Sequence, residues 1–403
     1  VYERGSVSGA AEALLRAPPA ITGSVQETEL ALGAPLFERL PAGMLPTPAG
    51  EAAYRRAKLV EDEFLAAQRM LCEHGAARQA PLFAMMASVR QMAVLVKLSE
   101  LGHMPSVAQA LGVSQPAISS ALREVERSLA VPLFERGPRR MAATPAGELL
   151  VFRLRRVLSE IGHLRADVGG LLGAVSGRVT ISVLPSSKTW LMPQAIANFV
   201  GRHPGVQVSV VDAPFDVLFA GLQSGEIDFI YTGIGPEYRH RGLRIEPVSQ
   251  DGLVVVARAG HPLARKAARL QPRDLARFPW VLREPGAPSR KLLDQVFHRM
   301  GLDSPHVAVQ AGGLGLLRGL LMQSDMLTAV SPQHLLHELQ AGSLAALAIE
   351  LPGSVRDVGF VLRRDAQPSA PCALLMQEIQ SVKRDERAQE GARKGRRRLS
   401  GGR

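Results

Sequence analysis

One stretch of this chain is written twice. Pro19-Ala20-Ile21, Pro35-Leu36-Phe37-Glu38-Arg39 and Thr47-Pro48-Ala49-Gly50-Glu51 return 97 positions later as Pro116-Ala117-Ile118, Pro132-Leu133-Phe134-Glu135-Arg136 and Thr144-Pro145-Ala146-Gly147-Glu148. Three blocks at one ungapped offset require a duplicated module, so the N-terminal part must hold two copies of one unit. The unit reads as a winged helix-turn-helix, which makes double-stranded DNA the expected partner.

The 403 residues are 46% hydrophobic, enough for two or three domains with real cores. No segment nears the roughly 20 uninterrupted apolar residues of a bilayer span, and Val1 to Gly9 lack a charged-then-apolar export signal. A cytoplasmic location, away from any membrane, is expected. Cys72 and Cys372 stand alone, without CxxC or Cys/His spacing, so no disulfide framework, metal site or cofactor is expected and both read as buried thiols. No Ser/His/Asp constellation or phosphate loop suggests an enzyme. The net charge of +11 suits a polyanion, and its distribution is uneven. Residues 1–75 carry seven Lys/Arg against ten Asp/Glu, residues 90–170 eleven against seven, and residues 383–403 nine against three. Phosphate attraction therefore favours the second copy.

In that copy, Ser106 to Leu111 forms a short helix with Val107, Ala108 and Leu111 on one face, and Gly112 follows where a left-handed cap is wanted. Ser114 is placed to N-cap a second helix reaching about Leu129, with Gln115 and Pro116 in its first turn. Ile118, Leu122 and Val125 face the core. The opposite face carries Gln115, Ser119 and Arg123 with Ser120 beside them, donors suited to base edges in a major groove. Pro132 to Arg140 reads as a turn and wing over Leu133 and Phe134, with Arg136, Arg139 and Arg140 set to meet phosphates. Further on, Leu150, Leu154, Val157, Ile161, Leu164, Val168 and Leu171 are spaced 4, 3, 4, 3, 4, 3. That heptad seam predicts a long helix that pairs with another, and so a dimer or tetramer on a two-fold-related operator.

The run Ala108 to Ser119, then Leu133-Phe134-Glu135-Arg136 and Thr144-Pro145-Ala146-Gly147, resembles the DNA-binding signature of the LysR-type transcriptional regulators. The resemblance covers the whole second copy and, more loosely, the chain to about Val382. It implies a homodimeric or homotetrameric regulator whose C-terminal domain senses a small molecule.

The first copy keeps the framework but not the reading surface. Ala17 and Pro18 stand where Ser114 and Gln115 do, Gln26 replaces Arg123, and Ala42 and Gly43 replace Arg139 and Arg140. Its seam, Ala53, Ala57, Val60, Phe64, Ala67, Leu71 and His74, keeps the period with smaller residues. A degenerate module over residues 1–75 is expected, followed by a DNA-binding domain at 82–147 and a dimerisation helix at 148–175.

From Gly177 onward strand and helix alternate: strands at Gly177 to Leu184, Val206 to Val211, Phe229 to Tyr231, Leu253 to Ala257, Trp280 to Leu282, Val307 to Val309 and Met326 to Val330. Helices at Leu191 to Arg202, Val217 to Gln223, Arg290 to Met300 and Leu314 to Met322 separate them. Such alternation predicts mainly parallel α/β layers. Over residues 176–382 the order resembles the two-lobed, periplasmic-binding-protein-like effector domain of the same family. Ligands in open α/β sheets sit beyond strand C-termini, where helix N-termini offer free amides. Ser186 and Ser187, Thr232 and Gly233, and Gly312 and Gly313 occupy such places, and the resemblance implies that they line the effector cleft. They suit an organic acid or a sugar derivative. Residues 383–403, rich in Arg, Gly and Ser, are expected to be a disordered basic tail. The competing reading is a solute-binding protein with vestigial helical repeats and no operator.

Overall fold

The computed structural model describes residues 1–41, 43–76, 88–137, 140–235, Tyr238, 242–266 and 270–400. The start of the predicted second module at residue 82, and the predicted contact Arg139, lie outside the described residues.

The first module runs α1 (Val7–Ala13), α2 (Pro18–Leu32), the hairpin β1 (Phe37–Leu40) and β2 (Gly43–Pro46), and a long helix α3 (Pro48–Glu73). The second opens with α4 (Val89–Leu101) and continues α5 (Met104–Leu111), α6 (Gln115–Leu129), β3 (Phe134–Arg136), β4 (Met141–Ala143) and α7 (Pro145–Leu171). From α1 and α5 onward the elements correspond one to one. The reason lies in the repeated blocks, which are joints of the scaffold. Thr47 and Thr144 N-cap the long helices, accepting from the amides of Gly50 and Gly147 and donating to the carbonyls of Pro35 and Pro132. A Cβ on Gly50 or Gly147 would collide with the carbonyl oxygen of Leu36 or Leu133, which is why glycine closes each block.

The seam of α7 is filled from within the chain. Leu150, Leu154 and Val157 pack in one core with Phe64, Ala67 and Leu71 of α3, while Leu164 and Val168 meet Ala49 and Ala53 at its other end. Ile161 and Leu164 are half-buried, and Leu171, 55% exposed, lies beyond the overlap. Within this chain, the long helix packed along the seam is α3.

The C-terminal region folds as two lobes. In the first, β5 (Ser176–Val183), α8 (Leu191–Arg202), β6 (Gly205–Val210), α9 (Phe215–Ser224), β7 (Phe229–Gly233) and β8 (Leu243–Asp251) build a sheet that the chain later completes. The second lobe holds β9 (Val254–Arg258), α10 (Pro272–Leu275), β10 (Trp280–Leu282), α11 (Pro288–Arg299), β11 (Val307–Gln310), α12 (Leu314–Gln323), β12 (Thr328–Val330), α13 (Leu336–Ala341) and β13 (Leu344–Ala346), around Trp280 and Phe297. Then β14 (Arg356–Arg363) returns to the first lobe, giving the order β6-β5-β7-β14-β8, and α14 (Ala370–Ser400) packs Leu375 and Ile379 beneath it.

Layers that are mainly parallel were expected; the sheets are mixed. β5 is parallel to β6 and β7, but β14 runs antiparallel to β7 and β8, and β12 and β13 antiparallel to β9. A strand that re-enters from the other lobe comes back reversed. The tail expectation also changes. Helix α14 continues through Lys383 as far as Ser400. Cys372 is buried as expected, whereas Cys72 is only half-buried.

Candidate nucleic-acid interface and effector cleft

Helix α6 is held from below by Ile118, Leu122, Val125 and Leu129, all buried. That leaves its other side free: Ser114, Gln115, Pro116, Ser120 and Arg123 are exposed and Ser119 half-exposed. Ser114 occupies the N-cap position in an extended conformation, yet its hydroxyl makes no capping bond. The predicted cap is thus a position without the bond, and the hydroxyl remains available at the helix end. Arg123 lies along the helix, its Nε donating to the Ser119 carbonyl at 3.2 Å. The turn before α6 is fixed by Gly112, at φ +63°, and by burial of Val107 and Ala108.

The wing is anchored by a group that the sequence pattern alone did not flag. Glu126, on α6, accepts from the amides of Leu133 and Phe134 at 2.8 and 3.1 Å. The amide of Met141 donates to Gly102 O at 2.8 Å, tying the other strand to the end of α4. Arg136 and Arg140, both exposed, therefore stand at fixed places beside the free face of α6. The signal for Glu126 was present, because Glu29 sits 97 residues earlier and accepts from Leu36 and Phe37 in the same way.

Between the lobes lies a cleft enclosing about 640 Å3, its mouth included. Ser186 and Gly312 line it. Ser187 lines only the adjoining cavity, which Ser186 shares. Thr232, Gly233 and Gly313 line neither: the alternation of β7 turns Tyr231 towards the adjoining cavity, Gly233 lies under the Arg356 guanidinium, and Gly313 is the N-cap of α12. The walls are Leu253, Val281, Leu293 and Leu317, and the polar groups are Arg283, Arg290, Thr328, His334 and Arg356.

Arg290 was not singled out by the sequence. It is 9% exposed, its Nε held by both carboxylate oxygens of Asp294 at 2.9 and 3.0 Å, and its Nη1 is buried with no hydrogen-bond partner. The Nε of Arg283 is likewise buried and unpaired. Both guanidinium groups line the cleft. Burial, and secondarily Arg283, hold His334 below the usual histidine value, so this ring adds no fixed charge. A cation in the first turn of a helix, as Arg290 is in α11, works against the helix dipole and was the available clue.

Head and sensor meet at a buried charge cluster. His163 Nε2 lies 2.9 Å from Asp228 Oδ1, and Asp228 Oδ2 accepts from Thr180 N at 2.7 Å. Glu160, 2% exposed, accepts from Arg56 Nη1 at 2.6 Å and Arg363 Nη2 at 3.1 Å. Burial pushes the Glu160 carboxyl up, but the His163 and Arg56 contacts outweigh it and bring it to about 2. Burial pushes His163 down, but its hydrogen bond to Asp228 and the nearby Glu160 carboxylate, 3.9 Å from Nδ1, raise it to about 9.

A winged helix-turn-helix head joined by a long helix to a two-lobed domain with a cleft between the lobes describes a ligand-responsive DNA-binding protein. The family described as "LysR substrate binding domain" matches residues 173–384, and "Bacterial regulatory helix-turn-helix protein, lysR family" matches residues 1–51 and again residues 89–148. The HTH-type transcriptional regulator GalR of Pseudomonas putida is 38% identical over 382 residues, 95% of this chain and 94% of that protein. CbbR of Xanthobacter flavus is 27% identical over 69% of this chain and 83% of its own. A full-length OxyR variant from Pseudomonas aeruginosa has the same fold at a TM-score of 0.56 and 20% identity, with 73% of this chain covering 97% of that one. CbnR complexed with its target DNA gives 0.52 at 20% identity, over 73% and 99%. The chain belongs to the LysR family of transcriptional regulators, DNA-binding proteins that form oligomers and carry a domain for a small-molecule effector. It is not an enzyme, and the competing reading as a solute-binding protein falls away. Among the described residues, no helix is long and apolar enough to cross a membrane.

Proposed function

We propose that α6 and the β3–β4 wing read an operator, and that an organic anion held between the lobes controls them. Gln115, Ser119, Ser120 and Arg123 meet base edges, with Ser114 and Pro116 opening the helix against the backbone, while Arg136, Arg139 and Arg140 pair with phosphates. The observation that carries this reading is the bare polar face of α6, flanked by wing arginines at fixed places. The effector is an organic acid with an apolar body rather than a sugar derivative. Unpaired guanidinium donors call for a carboxylate, and the four aliphatic walls call for a hydrocarbon face. Ser186 and Gly312 complete the site, and Ser187 lines the cavity beside it. The protein acts in the cytoplasm, where its operator is.

Operator titrations on the full chain test this. Gln115→Ala should weaken binding to the operator but not to random duplex, a loss of about 1–3 kcal/mol of discrimination. Arg140→Ala should weaken both and lower the salt slope by about 1. Arg290→Met should leave operator affinity intact and abolish the shift produced by carboxylate ligands. Unchanged discrimination in Gln115→Ala overturns the assignment of α6.

A further inference from the structure

The contacts between α3 and α7 obey the duplication that made them. Arg56 Nη1 bonds Glu160 at 2.6 Å; Arg153 Nη1 bonds Glu63 at 2.9 Å. Arg153 lies 97 residues after Arg56, and Glu160 lies 97 after Glu63. A second pair repeats the relation: Arg56 Nε bonds Asp167 Oδ2 at 2.8 Å, and Arg153 Nη2 reaches Met70 Sδ at 3.3 Å, with Met70 and Asp167 again 97 apart. In both pairs, the contact made by copy one on copy two is returned by copy two on copy one. The numbering within the pairs falls on one helix as it rises on the other, so the helices are antiparallel. Reciprocal contacts of this kind are what a two-fold axis imposes when two identical chains pair face to face.

We infer that the first module stands where a second protomer would: one polypeptide makes, in cis, the paired-stalk head that otherwise takes two chains. The seam is closed by α3, and any association of copies uses other surfaces. Thirteen consecutive residues, Ala76 to Ser88, join the stalk of one copy to the first helix of the next, a reach of about 40 Å when extended and comparable to the length of α3 itself.

The head so formed is unequal. At the places of Gln115, Ser119, Ser120 and Arg123, helix α2 carries Pro18, Thr22, Gly23 and Gln26, and of the three wing arginines only Arg136 has a counterpart, Arg39. One head of this kind therefore presents a reading helix and, across the pseudo-two-fold axis, a helix with no cation and little to offer base edges. The operator it recognises has one half-site defined by bases and a neighbouring half touched through its backbone alone.

Two measurements test the inference on the full chain. Glu63 Oε1 lies 2.6 Å from Arg156 Nη2, so an Arg156→Lys variant brings an amine to a carboxylate for zero-length carbodiimide coupling. Light and isotopically heavy chains are mixed, unfolded and refolded together before coupling. Pairing in cis gives peptide pairs of one isotope only. As many mixed as matched pairs would show that the seam joins two chains and would overturn the proposal; Arg153→Lys offers the same readout should the first variant fold poorly. The second measurement is base-by-base substitution of the operator, where the expected result is sensitivity confined to one half-site per head. Two equally sensitive half-sites a helical turn apart overturn the unequal head. The isotope result does not involve DNA, so its failure is separable from failure of the operator assignment.

Discussion

Among the described residues, two other than glycine hold a backbone conformation that side chains ordinarily avoid, and each has a glycine at its place in the other copy. Ala130, at φ +56°, ends α6 where Gly33, at φ +69°, ends α2. Leu15, at φ +52° and 95% exposed, stands where the second copy has Gly112 at φ +63°. Each copy thus supplies the control for the other. A left-handed residue with a Cβ costs roughly 1–2 kcal/mol, part of which glycine returns as unfolded-state entropy. Ala130→Gly should therefore stabilise the head by about 0.5–1 kcal/mol, and Gly33→Ala should destabilise it by a similar amount. Calorimetric melting of both variants checks this; the same sign for the two would refute the argument.

At the scale of elements, the register of α3 on α7 rests on buried ions. Arg56 and Glu160 are 3% and 2% exposed, whereas Arg153 and Glu63 are 20% and 10% exposed. A buried pair adds little net stability, but loss of one partner leaves a charge without compensation. Arg56→Ala should lower stability by about 3 kcal/mol, the low end for such a change because Glu160 keeps Arg363. Arg153→Ala, in wetter surroundings, should cost about 1 kcal/mol. The order of the two melting shifts is the check, and a larger effect for Arg153 would place the burial wrongly. The heptad spacing made α7 and its need for a partner legible in the sequence. It did not say which helix answers, because a seam looks alike whether filled in cis or in trans. For the same reason α6 was readable, with a 3.6-residue period and one wet face, while β14 was not. Val358, Phe360 and Leu362 enter one core and Val361 another, so burial on both faces erases the alternation that marks a strand. Strand β8 was hidden by Pro247, where its pairing with β14 shifts register. The cleft was legible only in its loops, Ser186 and Gly312. Arg283 and Arg290 acquire meaning once the fold brings them to one wall and leaves their donors unpaired.

For the molecule as a whole, the decisive joint is the one through which an effector bound in the cleft must act on the head. Helix α7 reaches the first lobe through His163 and Asp228. Copy one reaches the segment before α14 through Arg56, which donates to Gln367 O at 2.9 Å and Pro368 O at 3.3 Å. Asp167 accepts from Ala370 N at 2.7 Å. The first module is thus bonded to the sensor directly. A ligand can shift the head only by favouring one arrangement of this joint over another. The joint also carries a pH signature. His163, raised to about 9 from an unfolded value near 6.5, favours the folded state fully below about pH 6.5, and that contribution is lost as pH rises through 9. Glu160, lowered to about 2, favours it above about pH 4.5, and its contribution is lost as pH falls through 2. The joint is therefore tightest between about pH 4.5 and 6.5 and loosens on the alkaline side as pH rises towards 9. Melting temperature should fall between pH 6.5 and 9 in the natural chain. His163→Gln, which keeps a donor for Asp228 without the charge, should melt lower at pH 6.5 and converge on the natural chain by pH 9. Parallel curves across that window would mean that His163 does not carry its proton in the folded protein.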